Sequence, residues 1–313
     1  MAVKIGLRQL RETASTVVIP QKTFDETTTS PRVKPYMKFA ICNETFEGGS
    51  HREGLALAKK LGYTGVEVAP FTLGLDVREI RQGTRREYRA MVEDLGMSIL
   101  GLHWLLAKTS GFHLTTDDAA VRSKTADYFK SLIELCVDLG GNIMVLGSPL
   151  QRNFTAPMTH DQAMGNAIDV IGRLTRDLES ANVRLAIEPL GPQEGNFLNH
   201  ASQARAMIQR IASPNVRLHL DVKAMSSEGS PIAQIIQDHA DLLIHFHAND
   251  PNKLGPGMGD VDQAPIFKAL KDVGYSGWVS VEVFDYSPGV EQILTASMDT
   301  MVRCAALASG SQG

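Results

Sequence analysis

The sequence predicts an α/β chain closed into a (β/α)8 barrel of the TIM type. From residue 38 onward, eight short β-branched or apolar runs alternate with helical segments of about a dozen residues or more. Eight such units in about 270 residues match the size of a closed barrel. The helical segments also end repeatedly in one way, at Leu61-Gly62, Leu95-Gly96, Leu139-Gly140 and Val273-Gly274, and a strand follows each within a few residues. Glycine there supplies the left-handed residue that stops a helix. The main rival, a doubly wound open sheet, would announce a GxGxxG turn after its first strand. The chain offers only Gly48-Gly49 at that place.

Residues 1–36 stand apart. They are rich in Thr, Ser and Pro, lack sustained periodicity, and are expected to form a poorly ordered N-terminal extension before a catalytic barrel domain at 37–313. Val17-Val18-Ile19 is too short for a signal-peptide core. Glu12 is the sole acid in the first 24 residues, which also fits a transit peptide, but a simple arm is the preferred reading, with Met37 a natural start. The strand runs then follow in order: KFAICNETF (38–46), GVEVAPF (65–71), SILGLHWLL (98–106), NIMVLGSP (142–149), RLAIEPLG (184–191), VRLHLDV (216–222), LLIHFHAND (242–250) and WVSVEVF (278–284). Between them, 117–139 carries Val121, Thr125, Tyr128, Leu132, Leu135 and Leu139 as one apolar helical stripe. The segment 264–273 places Pro265 in its first turn, where a missing N–H is harmless, and repeats Ile266, Leu270 and Val273.

Composition narrows the function. The chain has 313 residues, 31 Lys+Arg against 35 Asp+Glu, and a net charge of −4. That balance gives no support for a nucleic-acid surface. No apolar run approaches the ~18 residues of a membrane span. Cys42, Cys136 and Cys304 are far apart and make no CxxC pair, which fits a reducing compartment and a cytoplasmic location.

Chemistry in such a barrel gathers at the C-terminal strand ends. There the fifth to eighth runs read LAIE, LHLD, IHFH and VSVE, delivering Glu188, Asp221, His247 and Glu282. A charge closing a buried parallel strand is costly unless it is paired or bound to a metal. Each could be a separate rim charge satisfied by nearby backbone or Lys; four at matching height read better as one oxygen-rich site for one divalent ion. Mn2+ leads, with Mg2+ or Co2+ next and Zn2+ less suited to the donor set. Glu188 and Glu282, on opposite sides of the rim, would then serve as a proton-transferring pair acting through an enediolate held on the metal.

With these residues in view, the chain from about 37 to 309 resembles the xylose isomerase-like barrels, the sugar phosphate isomerase/epimerase group. Within it the ketose 3-epimerase branch is most similar. The intervals between the four residues, 33, 26 and 35, resemble that branch's metal-ligand spacing. EPLGPQEGNFLNHA resembles its Glu-x5-Glu stretch, HANDPNKLGPGMGDVD its loop after strand seven, and GLHWLL and GSPLQRN its third and fourth strand ends. The resemblance implies metal ligation by Glu188, Asp221, His247 and Glu282, catalysis by the two glutamates, substrate contact by Glu194, a sugar as the small-molecule partner, and a homodimer or homotetramer. Two positions depart. The branch has a substrate-binding His where Ala224 stands, and an Arg where Lys253 stands. Lys253 is expected to contact substrate without the bidentate grip of Arg. Reaction type therefore carries over better than substrate.

Other residues point toward the same mouth. Trp104 offers a flat face for a sugar and His103 a hydrogen bond. Glu67 is read either as a contact for the distal end of the substrate or as the partner of a histidine inside the barrel. His219 and His245, each two residues before a ligand, face the same interior and read as supporting histidines. Arg152 and Lys108 could bind an anionic group, but read better as solvated loop residues. Gly255-Pro256-Gly257-Met258-Gly259 reads as a plain turn or lid rather than a phosphate cradle. The main alternative function is a metal-dependent lyase or dehydratase on oxidised sugars or inositols, including C-glycoside cleavage, using the same four ligands. An endonuclease-type metal cluster would need further histidines on the early strands, where only His103 stands; a glycosidase pair leaves Asp221 and His247 unexplained; and a barrel that binds sugar without turnover does not fit four intact ligands.

Overall fold

The computed structural model describes residues 37–310. The expected extension at 1–36 lies outside them. Eight parallel strands close in chain order into one barrel: β1 (Lys38–Cys42), β2 (Gly65–Val68), β3 (Ser98–Leu102), β4 (Ile143–Leu146), β5 (Arg184–Ile187), β6 (Val216–Asp221), β7 (Leu243–Ala248) and β8 (Trp278–Val281). All eight were legible as runs, though each run is longer than its strand. The last residues of each run leave the sheet to build the rim: Asn43–Phe46 coil into a 3-10 turn, and Glu188 and Glu282 sit one residue past β5 and β8.

The helices follow their stripes. Ala119–Asp138 buries Thr125, Tyr128, Leu132 and Leu135, and Asp118 caps it by accepting from the amides of Ala120 and Val121. Gln263–Asp272 buries Ile266 and Leu270 behind an Asp262 cap. Gly62 and Gly274 take φ of 112° and 73°, the left-handed stop that the repeated junction requires. No helix among the described residues is long and apolar enough to cross a membrane.

The larger core lies between sheet and helices. Inside the barrel the filling changes with height. Ile143, Val145 and Ala186 make a small apolar layer, with Ile244 packed against it. Above it come polar side chains: His219 on β6, and His245 and His247 on β7, where His219 pairs with His245 and Asp221 with His247 in register. Period-two alternation puts each of these histidines on the face of its strand's terminal ligand candidate.

Gly101 marks how closely β3 and β4 approach. A Cβ there would collide with the backbone carbonyl of Ile143, which cannot move without breaking the β3–β4 pairing. Gly101→Ala is expected to cost about 3 kcal/mol, measured as a lowered midpoint in denaturant unfolding.

Candidate active site

Each carboxylate at the C-terminal mouth is placed by a specific local device. Glu188 follows β5, and Pro189 ends the strand. Its carbonyl accepts from Arg152 Nη1 at 2.7 Å, and its carboxylate rests on Gly147, just past β4, where a Cβ would strike it. Asp221 ends β6 and caps the short helical turn Val222–Met225: Oδ1 accepts from the Ala224 amide at 2.8 Å. Its Oδ2 accepts from Asn249 Nδ2 at 2.6 Å, and Asn249 Oδ1 accepts from the Lys223 amide at 2.8 Å. One asparagine thus fixes Asp221 and the following turn together.

His247 joins two carboxylates. Its Nε2 lies 3.0 Å from Glu67 Oε2 and its Nδ1 lies 3.1 Å from Glu282 Oε2. Glu282 Oε1 is 3.2 Å from His103 Nδ1, and His103 Nε2 is 2.9 Å from Glu44 Oε2. Glu67 Oε2 also lies 2.7 Å from His245 Nε2. Glu188, Asp221, His247 and Glu282 are 6%, 2%, 0% and 5% exposed.

Burial and crowding act unequally on these acids. Burial, with Glu282 and Asp221 nearby, pushes Glu188 well above the ordinary carboxyl range. Burial also raises Asp221, to about 6, against the pull of Lys223. At Glu282 burial pushes up as well, but His247 and His103 outweigh it and hold its pKa well below normal. Crowded buried carboxylates of this kind call for a cation. The chemistry of the donor set fits one: Glu188, His219, Asp221 and His247 can each bring a ligand atom within 4.8 Å of the others. His219 is fully buried and neither of its ring nitrogens has a hydrogen-bond partner.

Glu188, Asp221, His247 and Glu282 come together at one mouth, although Glu282 turns its oxygens toward His103 and His247 and lies outside the four-residue donor group. His103 is buried against Glu282, and Trp104 is half-buried with its ring edge-on to Phe284, centroids 6.0 Å apart. Glu194 reaches the mouth from the loop after β5 and ion-pairs with Lys223. Glu67 takes the second of its two readings: it is 1% exposed, and His245 and His247 hold it inside the barrel. Lys253 is exposed at the rim; its carbonyl accepts from the amides of Phe284 and Asp285 at 2.8 and 3.1 Å. Arg152 corrects the expectation of a solvated residue. It is buried because the carbonyls of Glu188 and Leu146 receive its guanidinium. Lys108 is exposed as expected, 2.8 Å from Glu47.

Sequence reading missed Glu44, Lys223 and Asn249. Glu44 lies beyond the strand proper, in the 3-10 turn. Asn249 carried a usable signal, two residues after His247 on the same run. Lys223 stood two residues after Asp221, but nothing in the spacing marked it as buried.

Residues 55–304 match the model of the xylose isomerase-like TIM barrel family, and the chain belongs to that family. It is 28% identical over 223 residues to the D-psicose 3-epimerase of Enterocloster bolteae, an alignment covering 68% of this chain and 73% of that one. The fold matches a crystal structure of D-psicose 3-epimerase in the presence of D-fructose with a TM-score of 0.71, at 21% identity, covering 88% and 97% of the two chains. It matches 3-keto-D-glucoside 4-epimerase from E. coli with a TM-score of 0.72, at 21% identity, covering 86% and 98%. Its sequence relatives are named epimerases, and the chain is an enzyme of that isomerase class.

Gly147 gives a direct test of the donor group. Gly147→Ala is expected to push the Glu188 carboxylate aside and weaken divalent-metal binding about 10- to 100-fold, read by calorimetric titration, with the unfolding midpoint of the metal-stripped protein little changed.

Proposed function

We propose that the enzyme inverts C3 of a ketose by divalent-metal-dependent proton transfer, with Glu188 and Glu282 as the two proton-transferring groups. The observation that carries this reading is the burial of three carboxylates and His247 at one barrel mouth, in a chain whose sequence relatives include ketose 3-epimerases. Glu188, Asp221 and His247 would hold the ion, with His219 close enough to join or support them, and Glu282 would complete the set by turning an oxygen from its histidine partners. Mn2+ suits the carboxylate-rich donor set best. When bound, the ion supplies Lewis-acid polarisation of the substrate's oxygens and so acidifies the neighbouring C–H.

The protein's own groups do the rest. His103 and His247 keep Glu282 ionised and aimed, which suits it to take the C3 proton. Glu188, on the other side of the mouth, returns a proton to the opposite face. The two carboxyls exchange roles when the epimer reacts. Trp104 and Phe284 give the sugar an apolar wall.

A second reading, a metal-dependent lyase or dehydratase acting on an oxidised sugar, is favoured by Ala224. It is a buried apolar residue beside Asp221 where the resemblance expects an imidazole.

Metal-stripped protein reloaded with Mn2+ and incubated with free ketoses in D2O decides between them by NMR. Deuterium at C3 with the epimer formed is the expected result. Deuterium at C1 or C2 moves the reaction to aldose–ketose isomerisation, and no exchange despite bound Mn2+ overturns the free-ketose reading in favour of phosphorylated or 3-oxo sugars or the lyase. Glu282→Gln and Glu188→Gln should each slow C3 exchange by about a thousandfold.

A further inference from the structure

Lys223 is a buried lysine at the carboxylate-lined mouth. Its side chain is 8% exposed, and its Nζ lies 2.6 Å from Glu194 Oε2 and 4.6 Å from the centre of the Phe284 ring. Phe284 in turn meets Trp104 edge-on. Glu194, Lys223 and Phe284 follow β5, β6 and β8, so three separate segments meet at this one ammonium, and Trp104, after β3, packs on Phe284. The Lys223 backbone is itself locked to Asp221, since Asn249 accepts from the Lys223 amide and donates to Asp221 Oδ2. Asp221 and Glu282 both act on the ammonium electrostatically. A buried ion pair contributes little net stability, so an anchoring role alone does not account for a cation held among the acids of the mouth.

We propose that Lys223 is a substrate-binding residue, and that its ammonium and the Glu194 carboxylate work as a joined donor and acceptor for two neighbouring oxygens at an uncharged end of a polyhydroxy ketone. The ammonium donates to a carbonyl or hydroxyl oxygen; the carboxylate accepts from the adjacent hydroxyl. The pair is charge-balanced, so a phosphate placed at this end would meet the Glu194 carboxylate at close range. The substrate is therefore an unphosphorylated ketose at the end this pair reads. This inference rests on the ketose reading above and adds to it the residue and the charge state of the substrate.

The test uses the full chain loaded with Mn2+, with D-fructose and its 1- and 6-phosphates as probes and C3 deuterium exchange as the assay. Mn2+ stoichiometry is followed by electron paramagnetic resonance. Lys223→Met should lower kcat/KM for D-fructose by about 10- to 100-fold, mostly through KM, with Mn2+ stoichiometry unchanged. Lys223→Arg, which keeps the charge, should recover part of the loss and guards against a variant that fails to fold. Because the pair acts as a unit, Lys223→Met combined with Glu194→Gln should lose less than the product of the two single losses. Full activity in Lys223→Met, a loss that tracks lost Mn2+, or strictly multiplicative losses overturns the role of Lys223. Preference for both phosphates over D-fructose overturns the uncharged end while leaving the ketose reading intact. No exchange by the unaltered enzyme with any probe overturns both together.

Discussion

Placing three carboxylates out of water at one end of a parallel barrel is the constraint around which the rest of this molecule is arranged. Desolvation alone would neutralise Glu188, Asp221 and Glu282. For Asp221 and Glu282 the chain answers with imidazoles and one amide. Glu67 holds His245 and His247 from below, Glu44 and Glu282 hold His103 between them, and Asn249 ties Asp221 to the turn that follows it. Each acid in this network meets a nitrogen from a different strand or loop. The barrel's closure is what brings those nitrogens within reach, since β2 and β7 lie on different sides of the ring.

Acidic groups above an apolar floor also divide the interior by function. The layer of Ile143, Val145 and Ala186 supplies packing, and the histidine layer supplies polarity and aim. Trp104, Phe284, Lys223 and Glu194 then form the upper wall. The interior therefore has three levels along the barrel axis.

Period and punctuation made the barrel legible in the sequence. Short apolar runs, helical stripes and glycine stops are local signals, and all eight strands stand within the runs they mark. The terminal polar residues of the fifth to eighth runs were legible for the same reason: a charge at the end of LAIE or VSVE violates the pattern around it. What stayed hidden depends on contacts across the ring. Glu67 looked equally suited to substrate or to histidine, because its partners on β7 are 178 and 180 residues away in sequence. Arg152 looked like an ordinary loop residue because the carbonyls that bury it belong to two separate strand ends. Lys223 and Glu44 share this cause: each is defined by its partner rather than by its own neighbourhood.

The Lys253 carbonyl, with φ of 74° at that residue, accepts from both Phe284 and Asp285. Those two bonds staple the segment after β7 to the segment after β8. Displacing either segment must break the staple or drag the other along. Phe284 is thus mechanically tethered to a residue on a different loop, and the aromatic wall inherits the stiffness of both.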